Sequence, residues 1–360
     1  MLEATIRRIG PLNGAAMKEA ERHQDQLALP LGSLGRLHEL CIHLAGITGN
    51  PRPEIMNLAI VTMAADHGVA AQGVSLFPGE VTGEMVANFA RGGAAINVLA
   101  RHVGARLTVV DIGVAGPLAE LPVKEDDSIR LVYRRIAEGT MDISQGPAMS
   151  RDEALRSLET GIRVFEEEMA GGLDAIGTGD MGIGNTTPSS AIAAVLLKKD
   201  PADLVNRGTG IDDDTLKRKV EVVAKSLNVN QPDPDDPMDV LCKVGGFEIG
   251  GIAGVILAAG ANRTPVVVDG FISTAAALLA SRLNPEIKNY LFSGHRAAVE
   301  GHELMLNELG LKPMVDLGMR LGEGTGAAFG LSILSAASRI GREMLTFDEA
   351  KVRKSDSSEQ

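Results

Sequence analysis

Short apolar runs that end in glycine or aspartate restrict the fold of this chain more than any other feature. Three such runs, each five or six residues long, occupy residues 58–63, 107–112 and 265–269. A continuous apolar stretch of this length is typical of a strand that is buried on both faces. Weaker strand signals lie at residues 174–179 and 289–293. The runs therefore predict a parallel sheet covered by helices.

Helical stretches alternate with these runs, at residues 83–100, 151–170, 189–199, 213–227, 246–261 and 273–281. The alternation predicts an α/β fold with a doubly wound, Rossmann-like parallel sheet. Leucines at helical spacing predict helices in the first 50 residues. Residues 228–239 contain three prolines and four aspartates and predict a loop, while the polar residues 351–360 predict a disordered tail.

Charge and composition exclude several classes of function. Lys and Arg number 35 against 47 Asp and Glu, and aromatic residues make up 3%, so the basic stripes and stacking platforms of nucleic-acid binding are missing. Cys41 and Cys242 have no CxxC spacing, which favours a reduced, cytoplasmic protein without structural zinc. We expect no membrane partner, because no apolar stretch reaches about 18–20 residues.

The glycine-rich turn at residues 182–187 is the clearest candidate for ligand binding. It follows the strand predicted at residues 174–179, and open parallel sheets bind ligands beyond the carboxyl ends of their strands. Its backbone N–H groups could converge on an anion, with hydroxyl groups added by Thr186 and Thr187. A tight strand-to-helix turn with a threonine cap explains the same spacing equally well.

A second glycine-rich turn, residues 207–214, precedes a helix that carries Lys217, Arg218 and Lys219. One of these lysines could meet a phosphate, or the helix could simply present a solvated basic face. Neither turn has the glycine order of a dinucleotide fingerprint, and no GxxxxGK[ST] loop occurs. The sequence therefore gives no indication of a bound NAD or ATP cofactor.

Glu323 lies between two glycines, in a turn that precedes a long apolar helix. A carboxylate in that setting could act on a bound ligand, or it could interact only with the N-terminus of the helix. The seven histidines form no HxxxH or HExxH pattern, so we expect no metal site.

Seven motifs in chain order carry a resemblance to a known family. They are residues 30–37 (PLGSLGRL), 65–69 (ADHGV), 88–97 (NF and GGAAIN), 182–187 (GIGNTT), 244–249 (VGGFEI), 268–272 (VDGFI) and 320–326 (RLGEGTG). In these motifs the chain resembles the nicotinate-nucleotide:dimethylbenzimidazole phosphoribosyltransferases. The resemblance extends from about residue 30 to residue 345.

The resemblance implies transfer of phosphoribose from nicotinate mononucleotide to a benzimidazole, without a cofactor, for the nucleotide loop of cobalamin. It implies that Glu323 is the catalytic base. The implied phosphoribosyl site consists of Gly182, Ile183, Gly184, Asn185, Thr186, Thr187, Gly208 and Lys219. The implied base-binding residues are Ser75, Pro78, Glu84, Asp180, Met181 and Leu321.

The family resemblance also implies a homodimer and a division of the chain into two domains. The large α/β domain would span residues 55–295. Residues 1–54 and 296–350 would form a small, mostly helical domain from both chain termini, together with segments that close the active site.

Four positions depart from the usual pattern of the family. Glu84 replaces Gln, Asp180 replaces Glu, and Ala297 and Val299 replace Ser and Glu. The acceptor could accordingly be 5,6-dimethylbenzimidazole or a related base. Two other functions are compatible with the same residues, namely a non-catalytic sensor of nucleotide phosphate and a hydrolase of nicotinate mononucleotide.

Overall fold

The structure is a computed structural model that describes residues 1–116, 118, 129–208 and 210–353. Most of the tail predicted at residues 351–360 lies outside the described residues. The strands are β1 Leu58–Ala65, β2 Ala105–Gly113, β3 Ile129–Tyr133, β4 Ala175–Met181, β5 Val266–Val268, β6 Leu291–His295 and β7 Pro313–Val315.

The seven strands form one parallel sheet in the order β3-β2-β1-β4-β5-β6-β7. This confirms the doubly wound α/β prediction. Strand order reverses between β1 and β4, and ligands of such sheets bind in the crevice outside the carboxyl ends of the strands at that point. The topology alone therefore locates the most favourable place for a binding site.

Fourteen α-helices occur in the described ranges. They are α1 Leu2–Arg8, α2 Gly14–Gln24, α3 Arg36–Thr48, α4 Val81–Ala90, α5 Ala95–Val103, α6 Arg151–Ala170, α7 Thr186–Leu197, α8 Asp213–Asn230, α9 Pro237–Val244, α10 Phe247–Ala261, α11 Phe271–Leu283, α12 His302–Leu309, α13 Thr325–Glu343 and α14 Phe347–Ala350. None of them is both long and apolar enough to cross a membrane.

Two of the sequence predictions for helices and loops are wrong in detail. Residues 83–100 form α4 and α5 rather than one helix, because Gly92 adopts a φ of +76° and ends the first of them. The predicted loop at residues 228–239 contains the end of α8 and the start of α9. The Asp236 carboxylate caps α9 by accepting from the backbone N–H groups of Met238 and Asp239, and Pro237 occupies its first turn.

Helices from the two chain ends pack against each other, as the fold prediction requires. Cys41 of α3 lies against Gly341 of α13, where an added Cβ would come 2.6 Å from the Cys41 sulfur. The His23 Nε2 atom lies 3.0 Å from the Gly341 carbonyl oxygen. Residues 313–315, in the C-terminal segment, also add β7 to the main sheet. The domain boundaries themselves stay a prediction.

Helices α6 and α10 approach each other so closely that their backbones touch. A Cβ added at Gly161 would lie 1.9 Å from the Gly251 carbonyl oxygen, and one added at Gly254 would lie 2.0 Å from the Leu158 carbonyl oxygen. All 15 residues of α10 are buried. Glycines at positions 161, 251 and 254 allow the two helices to approach this closely.

We expect Gly161→Ala to lower the free energy of unfolding by roughly 1–3 kcal/mol, because the new methyl group forces two backbones apart. Urea denaturation of the purified variant measures this change. Gly146→Ala is the matched control, since no atom lies within 4 Å of a Cβ added at Gly146. Equal stability of the two variants would contradict the close approach.

Candidate functional site

A cleft opens at the carboxyl edge of the sheet, beyond β4, β5 and β6. Asp180 and the turn that follows it form one side, and Gly270 begins the other. The remaining lining residues come from several separate segments: Val74, Ser75, Asn206, Arg207, Gly208, Lys219, Phe271, Ile272, His295, Ala297, Val299, Arg320, Leu321 and Gly322. Most of the residues singled out in the sequence thus meet at one cleft.

The turn at residues 182–187 links β4 to α7 at the floor of this cleft. Gly184 has a φ of +88°, which a residue with a side chain rarely adopts, and α7 begins two residues later. The Ile183 N–H donates to the Thr82 hydroxyl over 3.1 Å, so helix α4 fixes the turn from outside. Residues 182–186 line the cleft, whereas Thr187 is fully buried in α7. The positive end of α7 therefore faces the space where an anion could bind.

Lys219 reaches the same turn from α8 and is 1% exposed. Its ammonium group donates to the Thr186 hydroxyl over 2.6 Å and to the Asn206 carbonyl oxygen over 3.0 Å. No carboxylate in the described part of the chain forms an ion pair with it. Burial lowers the pKa of Lys219 to about 7. The cleft therefore contains a desolvated amine that an incoming anion can stabilise in its charged form.

Gly208 keeps the space beside this lysine open. A Cβ added there would lie 3.3 Å from the Thr186 hydroxyl oxygen and 3.7 Å from the Lys219 ammonium nitrogen. The Arg320 guanidinium donates to the Gly208 carbonyl oxygen over 3.0 Å from the other side of the cleft. Two cationic side chains thus flank the glycine-rich turns that the sequence analysis proposed as an anion site.

The backbone of Glu323 is held by both strands at the switch point. The Thr62 hydroxyl of β1 donates to the Glu323 carbonyl oxygen over 2.7 Å. The Glu323 N–H donates to the Asp180 carbonyl oxygen of β4 over 3.1 Å. Its neighbour Gly322 lines the cleft, and Glu323 itself lies directly behind it, 4% exposed.

The side chain of Glu323 has few partners. Its Oε2 atom accepts from the Ile96 N–H over 3.3 Å, at the start of α5. Burial raises the pKa of the Glu323 carboxyl, and the hydrogen bond from Ile96 only partly opposes this shift. A carboxylate with a raised pKa is better matched to accepting a proton near neutral pH.

Asp180 lies at the end of β4 and lines the cleft. Its Oδ2 atom accepts from the Asn185 side-chain amide over 2.9 Å, while its Oδ1 atom is buried without a hydrogen-bond partner. Burial and the nearby carboxylates, first among them Asp269, raise its pKa well above the ordinary value. Asp180 is therefore a carboxyl group with a raised pKa in the wall of the cleft.

The residues predicted to bind the base are only partly brought together. Ser75, Asp180, Met181 and Leu321 line the cleft. Pro78 and Glu84 do not line it: both are exposed, on the segment that enters α4 and on α4 itself. Two of the positions that depart from the family pattern, 297 and 299, also lie on the cleft wall.

Three comparisons with known proteins agree. A family model described as "Phosphoribosyltransferase" matches residues 9–352. The nicotinate-nucleotide–dimethylbenzimidazole phosphoribosyltransferases of Chloroflexus aggregans and Geobacter sulfurreducens are 54% and 49% identical to the chain, over 98% and 99% of both sequences. The crystal structure of the Thermus thermophilus enzyme of the same name matches with a TM-score of 0.88 and 41% identity, covering 95% of this chain and 100% of that one. The chain belongs to this phosphoribosyltransferase family.

Membership in the phosphoribosyltransferase family extends over every segment that lines the cleft. The matched residues 9–352 include both glycine-rich turns, Lys219 and the turn with Glu323. The chain is thus a phosphoribosyltransferase, and a phosphate-bearing substrate agrees with the cationic end of its cleft.

A buried pair behind the cleft of this phosphoribosyltransferase was not predicted from the sequence. The His67 Nε2 atom lies 2.8 Å from the Glu248 Oε1 atom, and both side chains are buried. A Cβ added at Gly182 would lie 3.3 Å from the same His67 nitrogen. The pair therefore lies against the start of the turn at residues 182–187. The signal in the sequence was a glutamate in an otherwise apolar helix, α10.

Among the side chains that the structure describes, no group of three or more His, Cys, Asp or Glu residues is arranged to hold a metal ion. Asp180, Glu248 and His67 bond instead to each other or to neighbouring residues.

Proposed function

We propose that this phosphoribosyltransferase transfers phosphoribose from nicotinate mononucleotide to 5,6-dimethylbenzimidazole or a related base. The products are nicotinate and α-ribazole 5′-phosphate, for the lower ligand of cobalamin. The observation that carries the proposal is a cleft lined by a buried lysine, Lys219, and by two glycine-rich turns, with the desolvated carboxyl group of Glu323 directly behind the cleft residue Gly322.

Departure of nicotinate from the ribose requires no acid catalyst from the protein. Nicotinate leaves the ribose as a neutral pyridine nitrogen from a cationic pyridinium, so no acid has to protonate the leaving group. The protein has to hold the 5′-phosphate, and Lys219 with the turns around Gly184 and Gly208 supports this role. A fixed phosphate positions C1′ against the acceptor.

The acceptor half requires a base. A benzimidazole attacks C1′ through one ring nitrogen and must lose the proton from the other. We assign this proton to the Glu323 carboxylate, whose charge also favours the oxocarbenium-like centre. Attack on the face opposite the leaving nicotinate converts the β configuration of the donor into the α configuration of the product.

We propose that the acceptor base binds between Asp180, Met181 and Leu321 and the segment from Ser75 through Pro78 to Glu84. Met181 and Leu321 supply apolar contact for the ring system, and the unpartnered Oδ1 atom of Asp180 supplies a polar contact. An apolar pocket with few polar groups is the ordinary form of a site for a planar heterocycle.

If Glu84 contacts the base, its carboxylate favours acceptors that carry a donor group, because it accepts hydrogen bonds but does not donate them. We expect Glu84→Gln to lower the share of 5-hydroxybenzimidazole product when that base competes with 5,6-dimethylbenzimidazole. Mass spectrometry of the two products gives the ratio. Glu80→Gln, the same change at another exposed acid near the start of α4, should leave the ratio unaltered. An unaltered ratio in both variants would place Glu84 outside the base site.

We also propose that the protein functions as a homodimer. Three large apolar side chains on segments next to the cleft are exposed, by 49–61%: Leu76, Phe77 and Leu317. A second copy of the chain that covers them would remove this apolar surface from water. Sedimentation equilibrium of the purified protein gives the mass that tests the dimer.

One assay separates the three functions that the sequence leaves open. The protein is incubated with nicotinate mononucleotide, with and without 5,6-dimethylbenzimidazole, and the products are identified by mass spectrometry. Ribazole phosphate formed only with the base supports the proposal. Ribose phosphate formed in both samples would indicate a hydrolase, and binding without turnover would indicate a sensor.

A further inference from the structure

Asp269 follows β5 and is fully buried beside the turn that carries Glu323. Its Oδ2 atom accepts from the Gly324 N–H over 2.9 Å. Its Oδ1 atom accepts from the N–H groups of Gly326 and Ala327 over 2.6 and 3.3 Å. One carboxylate therefore binds three backbone donors at the beginning of α13.

The turn held in this way has an unusual conformation. Gly322, Glu323 and Gly324 have φ values of +88°, +65° and +99°, so three successive residues adopt a left-handed backbone. Of the three, Glu323 alone has a side chain, and such a residue keeps this conformation only where its surroundings impose it. Contacts to the backbone on both sides of Glu323 are thus required to hold its carboxylate in place.

The surroundings of the turn leave little room for another arrangement. A Cβ added at Gly326 would lie 1.9 Å from the His295 ring, and one added at Gly179 would lie 2.3 Å from the Glu323 carbonyl oxygen. The Thr62 hydroxyl bonds that same carbonyl oxygen. Residues of β1, β4 and β6 therefore surround the turn and the start of α13, and Asp269, which follows β5, adds a carboxylate to these contacts.

Asp269 does not itself line the cleft, although the next residue, Gly270, does. Burial raises the pKa of its carboxyl to about 7, against the three N–H donors that lower it. Because both of its oxygen atoms accept from backbone N–H groups, this buried carboxylate serves to hold the backbone.

We propose that Asp269, assisted by Thr62, is a positioning residue for the transfer reaction, because it fixes the turn that holds Glu323 directly behind the cleft. The inference rests on the proposed function, in which Glu323 is the base. It assigns to Asp269 no contact with either substrate.

The first test is the steady-state kinetics of Asp269→Asn. The amide keeps the shape of the side chain but places an N–H group against backbone donors. We expect kcat to fall about 100-fold, the cost of a displacement of about 1 Å at a reacting group. We expect KM for nicotinate mononucleotide to stay within about threefold, because Lys219 and the turn at Gly184 are untouched. Wild-type kcat would overturn the inference, and so would a loss confined to KM.

Asp174→Asn is the matched control for this variant. The Asp174 carboxylate also accepts three N–H groups, from the backbone of Met56 and Asn57 and from the Asn57 amide, but it precedes β4 at the opposite edge of the sheet. We expect its kcat to equal that of the wild type. Thermal unfolding of both variants shows whether each is folded at the assay temperature.

Thr62→Val keeps the inference testable if Asp269→Asn does not fold. The change removes one hydrogen bond to the Glu323 carbonyl oxygen and keeps the branched shape of the side chain, and we expect a fall in kcat of about 2- to 10-fold. No fall in kcat for Thr62→Val would contradict positioning through the backbone of Glu323.

A double-mutant cycle with Glu323→Gln separates positioning from general destabilisation. If Asp269 acts through Glu323, the double variant is no slower than Glu323→Gln alone. If the fold-decreases in kcat of the two single variants multiply in the double variant, the inference is overturned and the proposed function stays intact. Full activity of Glu323→Gln would instead overturn the role of Glu323 as base, and the positioning role would fall with it.

Discussion

Glu323→Gln should lower kcat by roughly 100- to 10,000-fold, the usual contribution of a general base. The amide fills the same space but accepts no proton at neutral pH and removes a negative charge beside C1′ of the bound nucleotide. Binding of nicotinate mononucleotide, measured by calorimetry, should be nearly unchanged, because the anion site is formed by Lys219 and the turn around Gly184. Full turnover by the folded variant would contradict the assignment.

The dependence of turnover on pH provides a second readout for the same residue. Burial raises the pKa of Glu323 above its ordinary value of 4.5, so kcat of the wild type should rise with pH as this carboxyl loses its proton. This rise should disappear in Glu323→Gln. Glu343→Gln is the control, because Glu343 is exposed at the far end of the same helix, α13, and should keep the profile of the wild type.

Most of the sheet could be predicted from sequence because its central strands are buried on both faces. Such strands appear as uninterrupted apolar runs, and β1, β2 and β5 all lie within or around predicted runs. The two edge strands were missed. Arg130 interrupts the apolar pattern of β3, and β7 is only three residues long and is partly exposed. Edge strands are partly exposed and contain fewer apolar residues, so the apolar run that identifies a strand in the sequence is shorter or interrupted.

The functional site, like the sheet, could be predicted only in part from the sequence. Lys219, Glu323 and the turn at residues 182–187 stand in local motifs, and the structure brings them to one cleft or directly behind it. The contacts of Asp269 with the turn of Glu323 and the pairing of His67 with Glu248 link residues more than 50 positions apart. Local spacing carries no information about such pairs, since only the order of the strands in the sheet decides which turns become neighbours.

Thr82 makes another contact of this kind, between residues that are far apart in the sequence. It belongs to α4, and its hydroxyl group accepts a hydrogen bond from the Ile183 N–H in the turn at residues 182–187. The two residues are 101 positions apart. The glycine-rich sequence alone was compatible with a simple capped turn. What favours an anion site is the combination of this external support with the buried ammonium group of Lys219.

Removal of that ammonium group should have the largest effect on nucleotide binding. We expect Lys219→Met to weaken nicotinate mononucleotide by about 1.5–3 kcal/mol, the value of a hydrogen bond to a charged group, which corresponds to roughly 10- to 150-fold in Kd. Affinity for 5,6-dimethylbenzimidazole, which carries no phosphate, should change little. Lys217→Met is the matched control on the same helix, since Lys217 is exposed and pairs with Asp214.

The dependence of this affinity on pH follows from the state of the amine in the free protein. Its pKa of about 7 means that half of the molecules lack the proton at that pH, while a bound phosphate dianion stabilises the charged form and raises the pKa. Binding above pH 7 must then take up a proton, so the affinity of the wild type should fall as the pH rises from 7 to 9. Calorimetry in buffers of different ionisation enthalpy measures this uptake directly. Lys219→Met should bind weakly and without such uptake over that range, and an equal pH dependence in the variant would assign the titrating group elsewhere.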